Sequence, residues 1–195
     1  KTLINIIMSS INIVNIVCKN PKDLFTAQFK FEIVFDCLSE LKNDIEWKLI
    51  YIGKAENTNY DQELESVLIG PLQDGQMKFD FDADGPDHSK IPKEDLLGIT
   101  AIILTCSYNN QEFFRVGYYV NNFYPEELAE GEEPSIEKIE RYILHDKPRI
   151  TKFNINWDNN TNNIPGYSST HNDMFDGTYD PKKDLELMKN TEKES

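Results

Sequence analysis

Polarity alternates with a period of two along most of this chain. Between Phe29 and Cys37, Phe29, Phe31, Ile33, Phe35 and Cys37 fall on one side and Lys30, Glu32, Val34 and Asp36 on the other. That is the pattern of a half-buried strand. Gln76 to Ala83 repeats it, setting Met77, Phe79 and Phe81 against Lys78, Asp80 and Asp82. Ile11 to Val17 alternates more loosely and predicts a first strand, closed by Asn20-Pro21. In Ile45 to Gly53, Trp47, Leu49 and Tyr51 alternate with Lys48, Ile50 and Ile52, so both faces are partly apolar. Glu56 to Glu65 is polar and strongly acidic, and Ser66 to Gly70 predicts a short strand ended by Gly70-Pro71. Ile150 to Trp157 alternates again, with Phe153, Ile155 and Trp157 expected inward. The best helix candidate is Ser135 to Leu144, with Ser135 as N-cap, Ile136, Ile139, Tyr142 and Ile143 near helical spacing, and Pro148 as its stop. Strands at intervals of about ten residues, punctuated by Gly, Pro and Asn, predict an all-β, antiparallel β-sandwich, with a barrel as the structural alternative.

The stretch from Gly98 to Asn122 departs from simple alternation. Its halves, GITAIILTCSY and QEFFRVGYYVNN, flank Asn109-Asn110, a pair that tolerates positive φ and so suits a two-residue hairpin turn. The first arm is apolar on both sides: Thr100, Ile102, Leu104 and Cys106 on one, Ile99, Ala101, Ile103 and Thr105 on the other. An antiparallel strand with two apolar faces needs a second cover, which either the protein's own chain or a partner can supply. The second arm puts Phe114, Val116, Tyr118 and Val120 in one row and Arg115, Gly117, Tyr119 and Asn121 in the other. A row mixing Arg, a phenol and an amide has the composition of a binding surface more than of a dry core.

Composition narrows the classes of function. The 195 residues carry 34 acidic and 20 basic side chains, a formal net charge of -14. This disfavours direct binding to nucleic acid or to an anionic membrane and favours basic partners. No apolar run is long enough to span a bilayer. The opening KTLINIIMSSINIVNIV is interrupted by Asn5, Asn12 and Asn15 and leads to no small-residue cleavage site. Residues 1–10 are therefore set apart as an uncertain leader, with Met8 a candidate start. From Asp158 the chain loses periodicity and fills with Asn, Asp, Ser, Thr and Lys, which predicts a flexible polar, acidic tail over 158–195.

Candidate chemistry is sparse. Cys18, Cys37 and Cys106 are odd in number and lack metal-ligand spacing, which points to a reducing compartment. Asp80, Asp82, Asp84 and Gly85 match the opening of an EF-hand loop, but Ile91 stands where the bidentate Glu belongs and Pro86 follows the glycine. His88, His145 and His171 are adjacent to no nucleophile, and neither a phosphate-cradling Gly loop nor a GxSxG elbow is present. No catalytic, metal or cofactor-binding residue is assigned, and the chain is read as a binding protein rather than an enzyme.

Four stretches, EWKLIYIGKAE (Glu46 to Glu56), YDQELESVLIGP (Tyr60 to Pro71), the two arms of the hairpin, and PRITKFNINW (Pro148 to Trp157), resemble the anti-silencing function family of histone H3-H4 chaperones. The resemblance covers about Asn15 to Trp157. It implies an immunoglobulin-like antiparallel β-sandwich with short helices in the connecting loops, in a core taken as 11–157, monomeric when free. It also implies a nuclear protein, with a cytoplasmic pool, that covers the surface through which two H3 chains pair and passes the H3-H4 dimer to nucleosome assembly or disassembly factors. By matching position, the H3 face comprises Ile52, Ala55, Asp61, Asp95, Ile99, Ala101, Ile103, Arg115 and Tyr119. The C-terminal strand of H4 would add beside Tyr118, Arg149, Ile150 and Thr151. A third surface, for short basic peptides of assembly factors, would use Asp44, Val67 and Ile69. The chain departs from the family at Asn43, where an acidic residue is usual, and at Ala101, where a bulkier aliphatic is common.

The alternative reading is an extracellular immunoglobulin-like adhesion domain, because Cys37, Trp47 and Cys106 follow the Cys, Trp, Cys order of such domains. That reading requires a Cys37 to Cys106 disulfide and a signal peptide. Leu104 also stands where its Tyr, two residues before the second cysteine, would be.

Overall fold

The structure is a computed structural model that describes residues 9–128, 131–158 and 185. The expected leader and tail lie outside these residues, except for Ser9, Ser10, Asp158 and Leu185. Ten strands, all paired antiparallel, form two sheets among the described residues. The smaller sheet has the order β1-β3-β6, from β1 (Ile11–Cys18), β3 (Phe29–Cys37) and β6 (Gly75–Ala83). The larger runs β2-β9-β8-β7-β4-β5, from β2 (Lys22–Leu24), β9 (Glu140–Ile143), β8 (Gln111–Phe123), β7 (Gly98–Tyr108), β4 (Ile45–Tyr51) and β5 (Gln62–Ile69). A further strand, β10 (Arg149–Lys152), pairs with β8 on the same side as β9. The result is the all-β sandwich that the alternation predicts.

The two sheets close over one core because their alternating residues meet there. β3 contributes Phe29, Phe31, Ile33 and Phe35; β4 contributes Trp47, Leu49 and Tyr51; β7 and β8 contribute Ile102, Leu104, Val116, Tyr118 and Val120, all buried. Trp47 packs between Phe79 and Phe114, with ring centroids 6.0 and 6.1 Å away. The hairpin turn is as expected, with φ of 49° at Asn109 and 60° at Asn110. Both central residues of such a turn need positive φ, which gives it the twist of the strands it joins. Cys18, Cys37 and Cys106 are free thiols, so the bridge that the adhesion reading requires is not made.

Three expectations are corrected. Ser135 to Leu144 is not a helix: a single 3-10 turn at Ile136–Lys138 runs into β9, where Arg141 and Ile143 are buried and Tyr142 is exposed. In a segment this short the helical spacing is outweighed by hydrogen bonding to the edges of β8 and β2. β5 begins at Gln62, within the acidic stretch, because pairing with β4 fixes its backbone while Glu63 points to solvent. Phe153 does not turn inward: it is 38% exposed, whereas Ile155 and Trp157 are buried. β10 ends at Lys152, so alternation stops there.

Arg141 is the feature that the sequence hides. Its side chain is 1% exposed, lies 3.7 Å over the Phe29 ring, and donates to the carbonyls of Phe25 (3.1 Å), Ala27 (2.5 Å) and Gln28 (2.7 Å). It thereby ties β9, in the larger sheet, to the loop leading into β3 of the smaller one. Burial pulls its pKa down to about 10, which leaves it cationic at neutral pH. Arg141→Ala should cost about 2 to 4 kcal/mol, because it strands buried carbonyls and opens a cavity. Urea denaturation monitored by tryptophan fluorescence measures that loss.

Candidate functional site

β7 carries the site because it is covered on both sides. Its even-numbered residues enter the main core, and its odd-numbered residues build a second apolar cluster on the outer face of the larger sheet. This cluster comprises Ile52, Ala55, Ala101, Ile103, Tyr119 and Leu185, with Ile50, Ile99 and Leu144 packed against it. Strand register explains the assembly. Ala101 pairs with Tyr119, and Ile103 pairs with Gly117 on β8 and with Ile50 on β4. Because directly paired residues share a face, these positions form contiguous rows across three strands. Ile52 continues β4 by donating its N–H to the Ala101 carbonyl at 3.0 Å, and Thr100 Oγ1 donates to the Ile52 carbonyl at 2.5 Å.

Charged groups flank this apolar patch. Lys54 Nζ lies 3.5 Å from Asp95 Oδ2 and 3.6 Å from Glu94 Oε1. Asp95 above all holds the Lys54 ammonium pKa over its ordinary value. Asp61 follows the 3-10 turn Thr58–Tyr60. That turn crowds the end of β4: a Cβ on Gly53 would come 2.2 Å from the Tyr60 carbonyl oxygen, so only glycine permits the approach. Arg115, paired across the strands with Thr105, is gripped by Glu112 through Nε (2.6 Å) and Nη2 (3.0 Å), and its guanidinium lies 5.9 Å from the Phe153 ring.

The positions matched to the H3 face therefore fall mainly in one place. Ile52, Ala55, Ile99, Ala101, Ile103 and Tyr119 share the second cluster, with Asp95 at its border through Lys54. The H4 positions separate. Arg149 pairs with Gly117 and Thr151 with Arg115, which puts both on this face, whereas Ile150 pairs with Val116 and projects from the other side, 57% exposed. β10 has a neighbouring strand on one side only among the described residues. The side chain of Tyr118 is 3% exposed and stacks on Phe31 at 5.8 Å inside the sandwich, as its row with Phe114 and Val116 dictates.

Asp44, Val67 and Ile69 sit at the far edge of the larger sheet. Val67 opposes Trp47 and Ile69 opposes Ile45, so both lean half-buried on the main core. The exposed Asp44 carboxylate occupies the space where a Cβ on Gly70 would stand. Neighbouring Asn43 is tied to Asn109 by a 2.9 Å bond from its amide.

Lys54, Ile50, Leu144 and Leu185 also belong to the site, and the polarity pattern does not single them out. Ile50 is the exception in principle, since it shares the parity of Ile52. Leu185, 1% exposed and helical, has no strand periodicity to announce it.

Comparison with known proteins gives one answer. Residues 8–158 match the family described as ASF1 like histone chaperone. The chain is 53% identical over 153 residues to "Probable histone chaperone ASF1A" of Arabidopsis thaliana, covering 77% of this chain and 78% of that protein. With "Histone chaperone ASF1B" of the same plant it is 54% identical, covering 77% and 70%. With "Histone chaperone asf1" of Drosophila melanogaster it is 49% identical over 154 residues, covering 77% and 71%.

The opposite placements of Tyr118 and Ile150 can be tested by stability alone. Tyr118→Ala should cost about 3 to 5 kcal/mol as a core deletion, and Ile150→Ala about 0.5 kcal/mol or less. Paired urea titrations read both.

Proposed function

The chain belongs to the ASF1-like histone chaperones, a family that binds its clients rather than transforming them, and from that premise we propose that this protein holds one histone H3-H4 dimer. In this reading the second face of the larger sheet covers the surface through which two H3 chains pair. The observation that carries it is the apolar cluster of Ile52, Ala55, Ala101, Ile103 and Tyr119 on the face of β7 turned away from the sandwich core. Ile52 and Ile103, buried in this structure, would each retain up to about 1.5 to 3 kcal/mol of burial if a partner helix took the place of their present cover. Asp61 and Asp95 at the margin suit histone Arg or Lys, and the net charge of -14 steers a basic client toward the complex. Arg115, bridged to Glu112, contributes to the rim.

The C-terminal segment of H4 adds to the outer edge of β10, next to Arg149, Ile150 and Thr151. Main-chain hydrogen bonds supply the affinity in that mode of recognition, which requires a strand with an available side. Tyr118 serves the H4 site indirectly, by anchoring in the core the strand β8 to which β10 is paired. The protein acts in the nucleus, with a cytoplasmic pool, and passes its histones to assembly factors. Their short basic peptides dock at Asp44, Val67 and Ile69, where Asn43 leaves one negative charge fewer than an acidic pair would provide.

Two outcomes are expected. Ala101→Arg puts a charge into a desolvated interface and should abolish H3-H4 capture in a pull-down with unchanged circular dichroism. Normal capture by that variant would reject the assigned face. Asn43→Asp should tighten binding of a short basic peptide by about two- to fivefold at low ionic strength and less in high salt. Isothermal titration at two salt concentrations checks this.

A further inference from the structure

We propose that Leu185, from the C-terminal part of the chain, occupies the histone-receiving face and must leave it before H3 can bind; this rests on the reading of that face given above. Every other residue in or against the second cluster belongs to the sandwich, at β4, β7, β8 or the turns that follow β4 and β9. Leu185 alone comes from beyond the core. It is 1% exposed, and Ala101, Ile52 and Ala55 beside it are 0%, 1% and 3% exposed. A face read as the seat of H3 helices thus already holds a helical leucine.

The chemistry of the segment fits that role. Leu185 is followed by Leu187 and Met188, with Asp184 and Glu186 directly beside it and Lys182, Lys183 and Lys189 around them, so its surroundings in sequence mix apolar anchors with charges of both signs, the cations in slight excess. Apolar anchors with flanking cations are also what the face and its acidic margin would select in a histone. The 27 positions between Asp158 and Leu185 give a contour of roughly 90 Å, long enough that Leu185 could be displaced without moving Asp158. Tethering gives such a segment an effective concentration of about a millimolar or more, enough for weak contacts to compete with a tight external partner. The face is thereby covered when no client is present, which also hides an apolar patch from unspecific association.

The test uses the full-length chain. Leu185→Asp should release the segment, and the isoleucine methyl resonances of Ile52 and Ile103 in the free protein should move, with Leu185→Met leaving them close to wild type. In a titration with H3-H4, Leu185→Asp should bind about three- to tenfold more tightly than wild type, because the competing docked state is removed. Methyl resonances that stay in place on Leu185→Asp overturn the docked segment. Resonances that move, with histone affinity equal in the two proteins, overturn the competition. If neither protein binds histone, the reading of the face fails and the competition with it, while the methyl spectra still decide whether Leu185 docks.

Discussion

An antiparallel strand normally turns one face to water, and β7 cannot. Burying Ile102, Leu104 and Cys106 on one side of it against the smaller sheet closes the fold. The same alternation then forces Ala101 and Ile103 onto the other side, where they are buried in a second cluster and where uncovering hydrocarbon would cost about 25 cal/mol for each Å². That penalty favours a cover on this face, from the chain itself or from a partner. The sandwich is completed by the first face, and the second builds a separate cluster.

The remaining features hold β7 in place and tune what approaches it. β8 and β4 flank it over most of its length, so the rows Ala101–Tyr119 and Ile50–Ile103–Gly117 are fixed by backbone pairing and not by loop conformation. Arg141 locks the far end of the larger sheet to the smaller one, and the Gly53–Tyr60 approach brings the acidic turn to the margin of the patch. Rigid elements carry the apolar contacts, and loops and the long-range field carry the charge. This division suits a chaperone, which has to hold a basic client firmly and without chemistry.

Much of this is legible in the residues alone. Period-two alternation locates most of the strands, the Asn109-Asn110 pair locates the hairpin, and parity within it divides the core face from the second face. Parity also puts Tyr118 in the core row with Phe114 and Val116, against its positional match to the H4 site. Other features depend on long-range context. The apolar residues of β9 fall near i, i+3 and i+4, as in a helix, and only pairing with β8 and β2 makes the segment a strand. A lone arginine in a short strand gives no sign that it will meet the Phe25, Ala27 and Gln28 carbonyls more than a hundred positions away. Leu185 lies in a polar stretch whose composition predicts no packing, and its burial depends on a patch that the rest of the chain creates.

Histone capture by the outer face of β7 would leave H3 unable to pair with a second H3. The most direct measurement is the solution mass of this protein mixed with purified H3-H4, by size exclusion with light scattering in moderately high salt, where bulk charge attraction is screened. The account predicts a complex of one chaperone with one H3-H4 dimer. Intact histone tetramers eluting apart from free chaperone, or a tetramer that carries the chaperone on its outside, would contradict it.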